Sequence, residues 1–403
     1  MKMSTDSKLF MLFLGALAAL PPISTDMALP AIGDIAQSLH TSASRAGLTL
    51  SLFMLGFAVS PLVYGPMSDR FGRRPALLAG LALFCIGGVI TTFSHSITVL
   101  LSARVVQGAG AGAGMTLAFA IVRDLFEGAA AQRRLAMITV VANLAPIVAP
   151  SIGTGLLLAL GWRSIYLLTL ISGVILIAMV WVSFAETLKV RDNPPVASGD
   201  SRNAYSRLMR HPYVRRHVIV NGLGFAWMFA YVCGSPLVLL GTLGISHLLY
   251  SLMFACTGAG IVLGATLNGQ LVHRGVASGK LLSAGIVLAL VASVAISVLT
   301  VLGWDRIGTI MPLLVLCTFS FGLVAPSATH AAMEPFPELA GVTGGLLTSI
   351  QMILGAGASS LVVMLFPAFG VVAMSGVMGG AALLAALLYF PGHRKAVLAM
   401  SPQ

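Results

Sequence analysis

Two ionisable side chains, Asp26 and Arg104, stand alone inside long apolar stretches of the sequence. Charges deep in a bilayer are costly, so such residues usually pair, bind backbone groups or carry a function. Asp26 lies about six residues, roughly 9 Å, before the outer end of its run, and Arg104 about seven residues past the outer start of its own. We therefore expect both side chains at similar depth in the membrane. There Asp26 can form an ion pair with Arg104 when it is deprotonated, and it can take up a proton when the pair separates.

Three alternatives stay open for these two residues. Pro21 and Pro22 can break the first helix, so that Asp26 caps a resumed helix before Pro30. Arg104 can bind backbone carbonyls without an acid, or the two side chains can form a permanent ion pair that joins two helices.

A second group of charges separates two apolar runs, in the sequence Gly-Pro-Met-Ser-Asp-Arg-Phe-Gly-Arg-Arg-Pro at 65–75. We predict a short loop here. Its three arginines indicate a cytoplasmic side, but positive charge alone explains neither the two glycines nor Asp69. Together with the end of the fourth run, the stretch predicts an ionic latch that favours an outward-open state. The predicted latch consists of Gly65, Asp69, Arg70, Gly72, Arg73, Arg74 and Asp124.

The composition excludes an ordinary soluble domain. Only 9% of the 403 residues are charged and 58% are hydrophobic, whereas about 25% of residues are charged in soluble proteins. A net charge of +11 would suit nucleic-acid binding, but the basic residues fall at the ends of apolar runs instead of on one face. The cysteines, Cys85, Cys233, Cys256 and Cys317, have no metal-ligand spacing, and we expect neither a metal nor a cofactor.

Apolar runs of spanning length predict an all-α membrane protein with twelve transmembrane helices in two pseudo-symmetric six-helix bundles. The runs lie at 9–32, 44–66, 76–94, 97–122, 135–159, 163–185, 216–241, 246–271, 280–303, 308–332, 341–366 and 370–391. The Lys and Arg residues between them favour one side and place both termini in the cytoplasm. We predict a first bundle over 1–187, a flexible cytoplasmic linker over 188–215, and a second bundle over 216–403.

Several motifs resemble those of the major facilitator superfamily. The stretch 65–74 resembles the loop between helices two and three of that family, and Arg-Val-Val-Gln-Gly at 104–108 resembles its fourth-helix motif. Ser-Thr-Asp-Met-Ala-Leu-Pro at 24–30 is similar to the signature of the Bcr/CflA drug-resistance branch, with Ala28 in place of the usual Tyr. A further set, Pro146, Pro150 and Gly153, resembles the antiporter motif of helix five, with Ala149 in place of its first Gly.

The resemblance implies proton-coupled drug efflux by alternating access in a bacterial inner membrane, as in exporters of bicyclomycin, chloramphenicol and florfenicol. It makes Asp26 and Arg104 the coupling residues and implies a monomer whose partners are a drug, protons and lipid, with no nucleic acid. Candidate drug contacts are Phe53, Phe57, Asn143, Phe225, Met228, Tyr231 and Gln351. Periodicity cannot choose among them because every helix face is apolar.

Other functions remain open on the same fold. Export of a sugar or amino acid would need more polar groups in the cleft, and a membrane sensor would transport nothing. An enzyme is not expected, because the sequence shows no clustered nucleophile and base, metal-ligand spacing or phosphate loop. The energetics of proton exchange favour neutral or zwitterionic amphipathic drugs over cations.

Overall fold

A computed structural model describes residues 7–187 and 198–400, with side chains for all but 198–202 and 392–400. The secondary structure in these ranges is helical. The helices are α1 (Lys8–Asp26), α2 (Ile32–Ser38), α3 (Ala43–Phe71), α4 (Arg73–Thr92), α5 (Ile97–Leu125), α6 (Gly128–Leu160), α7 (Trp162–Ser183), α8 (Ser198–Arg210), α9 (Pro212–Ser235), α10 (His247–His273), α11 (Ser278–Val301), α12 (Ile307–Met333), α13 (Ala340–Phe369) and α14 (Val371–Met400). Among the described residues twelve helical segments are long and apolar enough to cross a membrane, as predicted.

Several helices extend beyond their apolar runs into charged sequence. The predicted loop at 65–75 is wrong, because α3 continues through Pro66 to Phe71 and α4 begins at Arg73. Only Gly72 separates them, with a φ of 101°. Hydropathy marks where a helix leaves the hydrocarbon, whereas the backbone stays helical until a residue such as Gly72 turns the chain.

The described residues form two compact units, within 1–202 and 203–403. In the first unit α5 packs on α1, α3 and α4, while α6 packs on α1 and α7 packs on α4. Small residues let α5 approach so many helices. On α3, Gly108 contacts Phe53 and Gly112 contacts Ser60. Gly110 contacts Phe84 of α4, and Gly114 contacts Leu17 of α1.

In the second unit α9 packs on α12, α13 and α14, and α12 also packs on α10 and α11. Within the range predicted as a linker, the structure places α8, and residues 188–197 lie outside the described residues. The buried Leu208 of α8 joins a cluster with Val214, Val218 and Leu347 of the second unit. This helix is therefore held by apolar contacts to α9 and α13.

Candidate functional site

Asp26 lies at the last residue of α1, and its side chain is buried. The interpretation of Asp26 as an N-terminal cap is wrong, because α1 runs unbroken through Pro21 and Pro22 and ends only after Asp26. The carboxyl group accepts a hydrogen bond from the Thr25 hydroxyl at 3.0 Å. Asp26 therefore sits at the carboxyl end of a helix, where the helix dipole does not favour negative charge.

Arg104 on α5 is also buried, with 1% of its surface exposed. Its Nη2 donates to the Ser24 carbonyl at 3.0 Å, and its Nε to the Thr49 carbonyl at 3.3 Å. Its Nη1 donates to Gln107 Oε1 at 2.7 Å. The guanidinium group also lies 4.3 Å from the ring centroid of Phe53, close enough for a cation–π contact. Arg104 thus ties the end of α1 and the second turn of α3 to α5.

The expected ion pair between Asp26 and Arg104 is absent from this structure. All three guanidinium nitrogens have other acceptors, and one of these is the Ser24 carbonyl near the end of α1. The last carbonyls of a helix lack intrahelical partners, so they are natural acceptors for such a cation. In this structure the arrangement matches the alternative in which Arg104 binds backbone carbonyls.

The predicted antiporter motif lies in α6, which contains Pro146 and Pro150. A Cβ atom at Gly153 would overlap the Met27 carbonyl oxygen and lie 2.8 Å from its carbonyl carbon. Gly153 therefore lets α6 pack against the backbone directly after Asp26. The structure brings Gly153 of this motif to Met27, the residue after the acid, a proximity that sequence spacing does not reveal.

Three residues of the predicted latch, Asp69, Arg73 and Asp124, form a second charged site together with Ser68, which we call the Arg73 cluster. Arg73 Nε and Nη2 donate to the two carboxylate oxygens of Asp124 at 2.7 and 3.3 Å. Its Nη1 donates to Asp69 Oδ1 and Ser68 Oγ, each at 2.5 Å. The Arg73 side chain is 9% exposed, that of Asp124 19%, and that of Asp69 51%. Asp124 is therefore the stronger partner, since its pair is bidentate and better shielded from water.

Sequence reasoning missed the role of Glu186 and that of Ser68. Glu186 Oε1 accepts the Arg73 backbone N–H at 2.9 Å, and its Oε2 accepts that of Arg74 at 3.1 Å. Free N–H groups at a helix start favour such a carboxylate, so Glu186 caps α4 from a distant part of the chain. A Cβ atom at Gly72 would come within 2.5 Å of Glu186 Oε2. Gly72 thus both turns the backbone and leaves room for the cap.

The remaining latch residues have separate positions. Arg74 Nη2 donates to the Trp181 carbonyl at 2.7 Å, and Arg70 lies over the ring of the exposed Phe71. A Cβ atom at Gly65 would meet open space, so packing does not require glycine there.

The candidate drug contacts fall into different environments. Phe53 and Phe57 are buried in the first unit, and Phe53 lies against Arg104. Asn143 is exposed on α6. In the second unit the buried Tyr231 hydroxyl lies 2.7 Å from Thr257 Oγ1. Phe225 and the half-buried Met228 share one face of α9, and Gln351 of α13 donates to Asn221 Oδ1 at 2.5 Å.

Two buried asparagines, which the sequence analysis did not single out, contact α12 around Pro326. Asn221 Nδ2 donates to the Ala325 carbonyl at 3.1 Å and to Thr329 Oγ1 at 3.0 Å. Asn268 Nδ2 donates to the Leu323 carbonyl and to Ser327 Oγ, each at 2.7 Å. Pro326 lacks an N–H group and therefore frees the Gly322 carbonyl four residues earlier, whereas the two asparagines bind the carbonyls of Leu323 and Ala325, which lie between Gly322 and Pro326. A signal was present, since an isolated Asn in an apolar run is expensive unless bonded.

Comparison with known proteins places this geometry in a family. The Major Facilitator Superfamily matches residues 12–360. YdgK of Bacillus subtilis (strain 168), named an uncharacterized MFS-type transporter, is 31% identical over 87% of each chain. Multidrug resistance protein D of Escherichia coli (strain K12) is 28% identical over 94% of this chain and 95% of its own. The bicyclomycin resistance protein homolog of Haemophilus influenzae (strain ATCC 51907 / DSM 11121 / KW20 / Rd) is 27% identical over 90% of each chain.

Solved structures share the fold at low sequence identity. A bacterial homolog of the human lysosomal transporter Spinster superposes with a TM-score of 0.78 at 15% identity, over 99% of this chain and 100% of its own. A D-xylose-proton symporter gives a TM-score of 0.72 at 18% identity, over 95% of this chain and 97% of its own. These relatives and neighbours are transporters and not enzymes. The predicted resemblance, including that to the Bcr/CflA drug-resistance branch, is confirmed, and the chain belongs to the Major Facilitator Superfamily.

Proposed function

We propose that this protein is a proton-coupled exporter of neutral or zwitterionic amphipathic drugs, including amphenicols. It works as a monomer by alternating access, in a bacterial inner membrane with both termini in the cytoplasm, and needs no cofactor. The observation that carries the proposal is the buried carboxyl group of Asp26, which forms no ion pair with a described residue and has the Thr25 hydroxyl as its hydrogen-bond partner.

A buried carboxylate without a cation is costly, whereas the protonated group needs only a hydrogen-bond partner. In the proposed cycle Asp26 takes up a proton from the outside, drug leaves, and the proton is released when the site opens inward. Coupling requires that proton and drug favour different states of the protein. Arg104 then acts as a positioning residue, because it holds the Ser24 carbonyl two residues before the acid.

The drug class rests on the relatives and on the energetics of exchange. Two relatives are named for multidrug and bicyclomycin resistance. One proton crossing about 100 mV and one pH unit releases about 3.7 kcal/mol, enough for a gradient of about 500-fold of a neutral drug. Exchange for a monovalent cation is electroneutral and leaves only about 1.4 kcal/mol, or tenfold. Exchange of one proton, through Asp26, therefore suits a neutral cargo better.

Drug efflux from proteoliposomes under an imposed pH gradient tests the proposal. Asp26→Asn should abolish proton-driven efflux of a neutral drug while drug binding persists. Asp34→Asn is the matched control, because Asp34 is a half-buried acid in the first turn of α2. Coupled efflux by Asp26→Asn at the rate of the control would refute the role of Asp26 as the coupling acid.

A further inference from the structure

A chain of hydrogen bonds between uncharged side chains joins three helices of the second unit. Asn221 of α9 is completely buried. Its Nδ2 donates to the Ala325 carbonyl at 3.1 Å and to Thr329 Oγ1 at 3.0 Å, both on α12. Its Oδ1 accepts from Gln351 Nε2 of α13 at 2.5 Å. We call Asn221, Thr329 and Gln351 the amide chain.

The direction of the amide chain is determined by a backbone group. The Ala325 carbonyl can only accept, so the Asn221 atom beside it must be the amino group. Asn221 Oδ1 then points to Gln351, which must present its own amino group to it. Gln351 Oε1 is thereby left at the end of the chain as an acceptor.

Both ends of the amide chain can bind a ligand. Gln351 and Thr329 are partly exposed, and the described residues provide no partner for Gln351 Oε1 and no acceptor for the Thr329 hydroxyl. Asn221 contacts both side chains, so the two ends belong to one local network. A hydroxyl group suits either end, because its hydrogen can be donated to Gln351 Oε1 and its oxygen can accept from the Thr329 hydroxyl.

An aromatic surface lies one helical turn from the amide chain. Phe225 follows Asn221 by four residues on α9, stacks on Phe229 with centroids 4.3 Å apart, and lies 6.0 Å from Phe321 of α12. Phe229 is partly exposed. Polar residues within membrane helices face the bundle interior or a water-filled cavity rather than lipid. The combined surface therefore offers rings beside a polar anchor.

We propose that the amide chain binds a hydroxyl group of a neutral aromatic substrate, with Gln351 Oε1 as acceptor and Phe225 and Phe229 as the aromatic floor. This inference rests on the proposed function and deepens it by assigning a specificity-determining residue. The amide chain carries no charge, so the site has no fixed anion with which to select a cation. Gln351 therefore distinguishes substrates by a hydroxyl donor and not by charge.

The test compares chloramphenicol with its diacetyl ester. Both compounds are neutral and share the nitrophenyl ring and amide, but the ester lacks both hydroxyl donors. Efflux of each is measured in proteoliposomes under a pH gradient for the wild type, Gln351→Met and Gln270→Met. Gln270 is the matched control, because it is an exposed glutamine on α10 of the same unit.

In Gln351→Met the KM for chloramphenicol should rise about tenfold, as expected for one lost hydrogen bond, with the KM for the ester within about twofold of wild type. Gln270→Met should leave both values unchanged. An equal rise of the KM for both compounds in Gln351→Met would assign Gln351 a structural role and overturn the proposal. An unchanged KM for both compounds would also overturn it. In those cases wild-type efflux persists and the proposed function stands. If the wild type exports neither compound, the amphenicol part of the proposed function fails, and the site fails with it.

Discussion

Replacement of Gly153 by alanine tests whether α6 must touch the backbone beside Asp26. A Cβ atom there would overlap the Met27 carbonyl oxygen, and the peptide backbone cannot swing aside as a flexible side chain can. Gly155 lies two residues further along the same helix, where a Cβ atom would meet nothing within 4 Å. Gly155→Ala is therefore a matched control for the same substitution in the same helix.

The magnitude follows from the difference between the two variants. Each gains about 1 kcal/mol of helix propensity on replacing glycine by alanine. This gain cancels in the comparison, which leaves the cost of overpacking at Gly153, about 1–3 kcal/mol. The contact with backbone favours the upper part of that range. Gly153→Ala should thus be less stable than Gly155→Ala by an amount that thermal unfolding can resolve.

Both variants can be purified in detergent, melted, and assayed for proton-driven efflux in liposomes. We expect Gly153→Ala to melt below Gly155→Ala and to lose efflux, since the inserted methyl group displaces the backbone that follows Asp26. Gly155→Ala should retain the wild-type rate. Equal melting temperatures together with equal efflux would show that the close contact between Gly153 and Met27 does not exist in the working protein.

Two further predictions concern polar contacts. Asp124→Asn should destabilise the protein by about 2 kcal/mol in thermal unfolding, because it weakens a shielded, bidentate contact with Arg73. Asp69→Asn should cost less than about 1 kcal/mol, because the Asp69 side chain is half exposed. A larger loss of stability in Asp69→Asn than in Asp124→Asn would contradict this order. Asn268→Leu should cost about 1–3 kcal/mol in the same assay, because it leaves the Leu323 carbonyl and Ser327 Oγ without that donor. A stability equal to wild type would show that these two acceptors do not need the Asn268 donor.

The number of spanning helices was predictable from the sequence, whereas the ends of the helices were not. Length and apolarity are direct requirements of the bilayer, so each run identified one span. The charged ends of α3, α6 and α9 are helical too, and hydropathy cannot report them. For this reason the sequence predicts a loop at Asp69, whereas the residue lies in the last turn of α3, four residues from its partner Arg73.

The acid and base were also predictable, but their partners were not. Asp26 and Arg104 stood out because charges are rare within apolar runs. The acceptors of Arg104 include two backbone carbonyls, and every residue of the chain possesses such a group, so no residue type identifies them. The cap from Glu186 to Arg73 likewise depends on a contact between residues 113 positions apart.

The position of Arg104 bears on how a proton could change the structure around Asp26. The guanidinium group holds Ser24, while the carboxyl group lies two residues later and Gly153 of α6 presses on the next residue, Met27. Under the proposed function, deprotonation would create an anion in this confined turn, two residues from the carbonyl that Arg104 binds. To reach Arg104, Asp26 would have to displace the Ser24 carbonyl from Nη2, which means moving the end of α1 relative to α5. The ion pair that the sequence suggests would then belong to the other state of the transport cycle, and the change of partner would couple proton release to helix movement.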